Sequence, residues 1–298
     1  MRIGVFISEI NDLDHIVSTV RQAAADGFPS AWLPQIFGTD ALTALVIAGR
    51  EVPGIELGTS VIPTYPRHPM ALAAQALTTQ AAIGNRLTLG IGLSHQIVVE
   101  GMWGYSYDRP ARHMKEYLAA LMPLLRGENV HVDGETLKCI GQLDVKNAAA
   151  PPVLIAALAP AMLKLAGAVA DGTATWMTGP VTIKSHITPS IRAAAEAAGR
   201  PEPRIGVGLP VCVTDDPAAA RDQANQEFAI YGMLPSYRAM LDREGAAGPG
   251  DVAIVGNEDA VLAGIHEVAD AGGTDFIASC FGSSEDKART YALLKTLL

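Results

Sequence analysis

Few side chains in this sequence could move a proton, and the candidates cluster. His95, Tyr65, His68 and Asp40 each stand shortly after an apolar run. An imidazole, phenol or carboxyl group held at such a place can act as a general acid, an effect worth ~10²–10⁴ in rate. His95, just after Arg86–Gly92, is the best placed, and Tyr65 can reach a ligand from the loop after Ile55–Ile62. His68 reads equally as a brace before Pro69, and Asp40 as the carboxylate that starts a helix at Ala41-Leu42. His15, His113, His131, His186 and His266 lack metal-ligand spacing and read as packing or surface residues. Cys139, Cys212 and Cys280 are too dispersed for a disulfide framework or a zinc site, so no metal is expected. Lys164 and Lys184 fall in helical segments, and nothing places a Schiff-base lysine or a paired carboxylate.

Such residues need a scaffold that brings distant loops to one face. Eight short apolar runs supply it: Arg2–Ser8, Ser30–Pro34, Ile55–Ile62, Arg86–Gly92, Val153–Ala157, Thr173–Met177, Arg204–Val213 and Thr274–Ser279. Continuous apolar runs are the mark of parallel strands covered by helices. Helical segments alternate with them. Asn11 or Asp12 caps one that presents Leu13, Ile16, Val17 and Val20 and stops at Asp26-Gly27. Pro69 opens another, burying Met70, Ala73, Ala74 and Leu77 up to Gly84. Others open at Pro160, Ile183 (restarting at Pro189), Asp215-Asp216-Pro217, Asn257 and Glu285. Eight β-then-α units predict an α/β fold, a closed (β/α)₈ TIM barrel. An open doubly wound sheet is disfavoured because Ser8-Glu9-Ile10-Asn11-Asp12, not a GxGxxG turn, follows the first strand.

The 298 residues suffice for one such domain, 1–298, with excursions at 93–152 after strand four and 232–256 after strand seven. The first holds a helix near Arg112–Leu125 and a hairpin with Asp133-Gly134 at its turn, and the second ends in a Gly-rich tip expected to move. A net charge of −9 argues against a broad nucleic-acid or anionic-membrane surface. No apolar run of about 20 residues is present to span a membrane. The N-terminus reads as a strand instead of a signal peptide, and a cytoplasmic protein is expected.

Pro63, Pro66 and Pro69 stiffen the loop after strand three into a fixed wall, a surface suited to a flat ligand. That loop also carries a resemblance. Leu57-Gly58-Thr59-Ser60-Val61-Ile62-Pro63-Thr64, Arg67-His68-Pro69 and Ala73-Ala74-Gln75-Ala76 are its first part. Gly84-Asn85-Arg86-Leu87-Thr88-Leu89-Gly90-Ile91-Gly92, Ala170-Asp171-Gly172 and Asp270-Ala271-Gly272-Gly273-Thr274-Asp275 continue it in order. Together they resemble the luciferase-like monooxygenase family, and most of all its branch that uses the deazaflavin coenzyme F420. The resemblance implies a cofactor ring resting on a strand-three bulge with a non-prolyl cis peptide, here at Ser60-Val61. It implies phosphate binding at Ala156, Ala157, Leu158 and Ala159, completed by Trp176, Met177, Thr178 and Gly179, where small side chains let amides reach an anion.

The implied site residues are therefore Gln35, Thr59, Ser60, Val61, Pro63, Thr64, Ala156–Ala159 and Trp176–Gly179 for the cofactor, with His95 and Tyr65 as catalytic candidates. The sequence departs from the family at two places. Gln35-Ile36 stands where many members carry an acidic residue and His, and Leu93-Ser94-His95-Gln96 where some carry Glu and Asn. The alcohol and sugar-phosphate chemistry of the branch is thereby disfavoured, and reduction of an activated double bond is left open. Trp103, Tyr105 and Tyr107 read as a lid, a dimer contact or local packing, and Arg109, Arg112, His113 and Lys115 as partners of an acidic tail or a solvated helix face. The expectation is an F420-dependent oxidoreductase of a small organic substrate, acting as a homodimer. An FMN-dependent monooxygenase and a cofactor-binding barrel without turnover are the alternatives.

Overall fold

The computed structural model describes residues Met1–Leu298. Its barrel strands are β1 (Arg2–Phe6), β2 (Ser30–Leu33), β3 (Glu56–Thr59), β4 (Leu87–Gly92), β5 (Val153–Ile155), β6 (Gly172–Trp176), β7 (Arg204–Val213) and β8 (Asp275–Cys280). Neighbours pair in parallel in that order, and β8 returns to β1 with Arg2 opposite Asp275, which closes the barrel. This is the (β/α)₈ TIM barrel that the alternating pattern requires.

The interior explains several glycines. Trp32 on β2 is fully buried inside the barrel, its Nε1 donating to Ser30 Oγ at 2.9 Å. Its indole lies over Gly58 and Gly4: a Cβ at Gly58 would sit 2.2 Å from Trp32 Cε3, and one at Gly4 2.8 Å from Nε1. Around it pack Leu154, Ala174 and Ile277, with Phe6 and Val61 against that layer. The N-terminal end is closed by charge. Arg204 reaches Asp275 at 2.7 Å, Glu56 at 3.0 Å and Thr88 Oγ1 at 3.2 Å, and its guanidinium lies 5.9 Å from the Trp32 ring. A half-exposed Arg2 completes this network.

Helix starts obey local chemistry. Asp12, Asp40, His68, Asp216, Asn257 and Ser283 each accept a backbone N–H from the first turn they cap. The Pro69–Ile83 helix buries Leu72, Ala73, Ala76, Leu77 and Gln80, while Met70 and Ala74 are only half-buried, so its inward face is rotated from the expected one. Gln80 is buried because it is bonded: Oε1 accepts from Leu87 N at 2.8 Å.

The excursions hold further corrections. The hairpin pairs Val130–Asp133 with Lys138–Gly141, so Asp133 lies in the ladder and the turn runs over four residues, Gly134–Leu137. The second excursion contains a short strand, Ile254–Gly256, parallel to the end of β7, which no periodicity signalled. Its Gly-rich tip is tied down. Asp251 accepts from Ala247 N and Gly248 N, Asn225 accepts from Gly250 N, and Arg238 donates to the Ala246 and Ala247 carbonyls. No helix is long and apolar enough to cross a membrane.

Candidate active site at the barrel mouth

The expected third strand, Ile55–Ile62, breaks into β3 and a two-residue strand, Ile62–Pro63, and the Ser60–Val61 peptide bond between them is cis. The reason for the break is visible on β4. Thr59 Oγ1 donates to Gly90 O at 2.8 Å and accepts from Gly90 N at 2.9 Å, so a side chain takes the place of ladder hydrogen bonds. The bulge needs room. A Cβ at Gly90 would fall 1.9 Å from the Thr59 carbonyl oxygen, and one at Gly92 2.8 Å from Val61 Cγ2. Ser60 and Val61 are half-buried at the mouth, whereas Pro63 and Thr64 are buried behind them.

Tyr65 does not hang free in the loop. Its ring stacks on His113 at 4.1 Å and 9°, and lies 5.5 Å from Tyr107. His113, read from sequence as a packing or surface residue or a partner of an acidic tail, meets Thr64 Oγ1 at 3.2 Å. The Tyr65 hydroxyl is buried with no hydrogen-bond partner. Burial pushes the phenol up to about 12, so it stays protonated at neutral pH. Tyr107 links this group to the next loop by donating to Ser94 O at 3.3 Å. There His95 is half-buried at the start of the Gln96–Gly101 helix, 5.5 Å from the Tyr237 ring, and burial lowers its pKa.

From His95 a chain of aromatic rings crosses the mouth. Tyr237 meets Tyr231 edge-on at 5.1 Å, Tyr231 and Phe228 meet Trp176 edge-on at 5.9 and 6.0 Å, and Trp176 stacks on Phe6 at 5.2 Å. Phe228, Tyr231 and Tyr237 come from the segment after β7, where only Tyr237 falls inside the second excursion, and their part in the mouth had no sequence signal. Trp176 Nε1 is buried and unpartnered.

At the ends of β5 and β6 several amides remain open. The N–H groups of Leu158, Ala159 and Ala161 find no acceptor in the protein, and neither do those of Thr178 and Gly179. Ala156 N and Ala157 N are already used, by Ile91 O at 2.8 Å and Thr173 Oγ1 at 3.4 Å. Met177 is buried with φ +51° and Thr178 Oγ1 folds back onto Trp176 O. His186 Nε2 meets Leu158 O at 2.8 Å and ties the two loops together. Immediately beyond, Glu244 takes the next two amides: Val181 N donates at 3.0 Å and Thr182 N at 2.7 Å. Nothing in the sequence pointed to Glu244.

Other candidate residues are engaged in local contacts. Gln35 Oε1 accepts from Ala41 N at 2.7 Å and so serves the start of a helix. Asp40 caps that helix and pairs with Arg67 at 2.6 Å, and His68 Nε2 meets Lys138 O at 2.8 Å. Arg109 and Arg112 are both held by Glu135 of the hairpin. Of Trp103, Tyr105 and Tyr107, only Tyr107 packs against another aromatic ring. Two surface depressions of about 670 and 460 Å³ lie around Leu125 and Arg126 and share no residue with the mouth.

The structure is thus a parallel (β/α)₈ barrel with a bulged third strand and open amides at the ends of its fifth and sixth strands. The chain belongs to the luciferase-like monooxygenase family, whose match spans residues 1–275. It is 27% identical to the 5,10-methylenetetrahydromethanopterin reductase of Methanolobus tindarius, with 97% of each chain covered. The coenzyme F420-dependent tetrahydromethanopterin reductase of Methanopyrus kandleri superposes with a TM-score of 0.81 at 21% identity, over 99% of this chain and 96% of that one. The FMN complex of the oxygenating constituent of 3,6-diketocamphane monooxygenase from Pseudomonas putida superposes with a TM-score of 0.78 at 16% identity, over 100% and 96%. At these identities the superpositions establish the barrel.

Proposed function

We propose that the protein is a coenzyme F420-dependent oxidoreductase, and that it reduces an activated carbon–carbon double bond in a small organic substrate. The observation that carries this reading is the Thr59–Val61 bulge, fixed by the Thr59–Gly90 bonds, sharing one mouth with five open amides at the ends of β5 and β6. The first fits a flat ring and the second a phosphate, since unpaired N–H groups are costly unless an anion or water meets them. When bound, a deazaflavin supplies hydride at C5.

The chain's own residues do the rest. Ser60 and Val61 support the ring, and Leu158, Ala159, Ala161, Thr178 and Gly179 hold the phosphate. The aromatic rings from Phe6 to Tyr237 keep water from the reacting carbons. Hydride arriving at an activated alkene leaves negative charge on the neighbouring carbon or its carbonyl oxygen. Tyr65, protonated and without a partner, is one donor for that charge, and His95 is the other. The F420-dependent reductase of Methanopyrus kandleri supports this cofactor. The alternative is FMN, favoured by the FMN-bound neighbour.

Fluorescence titration with F420 and with FMN tests the cofactor, and absorbance of the coenzyme over a panel of enones tests the reaction. Micromolar binding of F420 with turnover of an enone is the expected result. Binding of FMN alone would replace this reading with the monooxygenase one, and F420 binding without turnover would leave a carrier. Ser60→Trp is expected to weaken F420 at least tenfold while leaving the circular dichroism spectrum intact.

A further inference from the structure

Glu244 lies at the edge of the amide cradle and brings a negative charge there. Its carboxylate bridges Val181 N and Thr182 N at the first turn of the helical stretch that follows β6. It also presses on the cradle itself: a Cβ at Gly179 would fall 2.3 Å from Glu244 Oε1. Four residues beyond Thr182, His186 bonds Leu158 O on the β5 side. No lysine or arginine pairs with Glu244, and the neighbouring cations Arg243 and Lys184 are exposed and form no ion pair. The charge therefore stands against the helix dipole alone, next to amides that remain open.

We propose that Glu244 sets the charge an incoming phosphate can carry, so that the mouth accepts a singly charged phosphodiester and disfavours a doubly charged phosphomonoester. The inference rests on the F420 reading above. The phosphate of F420 is a diester with one negative charge, whereas a monoester such as FMN carries about −1.5 to −2 at neutral pH. Repulsion from a resident carboxylate grows with the ligand's charge and is only partly screened in a half-buried site. Glu244 would then be a specificity residue and not merely a helix cap.

The test compares F420, FMN and riboflavin on the intact protein by fluorescence titration. Riboflavin has the ring of FMN without the phosphate, so the riboflavin-to-FMN ratio of Kd values isolates the phosphate. In Glu244→Gln, which keeps an acceptor for one amide and loses the charge, that ratio is expected to rise about tenfold while the Kd for F420 moves less than threefold. Glu244→Ser, also uncharged, must shift the ratio in the same direction. A ratio that stays at the wild-type value, or equal gains for FMN and F420, would overturn the proposal, because a purely structural cap moves all three ligands together. Failure of the wild-type protein to bind F420 would instead overturn the cofactor reading, and the riboflavin-to-FMN ratio would still be measurable.

Discussion

Glu116 and Glu244 do the same chemistry in the two excursions with different consequences. Glu116, on the Pro110–Leu125 helix, accepts from Thr136 N at 2.8 Å, Thr136 Oγ1 at 2.6 Å and Glu135 N at 3.2 Å. It locks the hairpin turn onto its own excursion. Glu244 accepts from two amides that belong to the barrel's β6 loop, beside the open cradle. One carboxylate folds a loop, and the other places charge where a ligand must arrive. A hydrogen bond of the same type is structural or functional according to which amides are left unpaired next to it.

The comparison can be broken most forcefully at Glu116. Glu116→Ala leaves the turn amides without an acceptor and is expected to destabilise the protein by about 2–3 kcal/mol, lowering Tm by several degrees, with F420 affinity unchanged. A change in affinity without a change in Tm would erase the contrast. His95→Ala sharpens it from within the same excursion. That residue lies where the excursion leaves β4, and its loss is expected to lower kcat ~10²-fold while Kd for F420 stays within threefold. Rates that hold would leave the proton with Tyr65.

Gly179→Ala is the next largest. The new methyl collides with the Glu244 carboxylate and is expected to cost about 1–2 kcal/mol in urea unfolding while disturbing the cradle. The acid limb of stability is the smallest effect. Burial opposes ionisation of Glu116, but the Thr136 hydroxyl and the turn amides outweigh it and hold its carboxyl down at about 2. A carboxylate depressed in the folded state stabilises fully above its ordinary pKa of 4.5, and that contribution fades as pH falls toward 2. Urea midpoints between pH 6 and 3 are expected to drop less steeply in Glu116→Gln than in the wild-type protein.

The barrel was legible because its signals are local. Each of the eight apolar runs became a strand, and Asp12, Asp216 and Asn257 start helices where their short polar side chains allow. The place of the bulge was legible only through family resemblance, since nothing in the residues Thr59-Ser60-Val61 announces a broken strand. The inward face of the Pro69 helix was misjudged by a partial rotation, because Gln80 is drawn inside by Leu87 N and Ala149 O, groups remote from any helical period. Gln35 was assigned to the cofactor by the family resemblance, and the bond its Oε1 accepts from Ala41 N, six residues on, was not legible in the sequence.

By itself the sequence determined the alternation of strand and helix, the caps, and the stiff proline loop, all of which depend on neighbours within a few residues. Only the tertiary structure decided that Tyr65 stacks on His113, that Gly90 must yield to the Thr59 carbonyl, and that Glu244 closes on amides some 60 residues earlier in the chain. Backbone periodicity is written in the order of residues. A hydrogen bond or a clash depends on distance in space alone, and chain order carries no record of it.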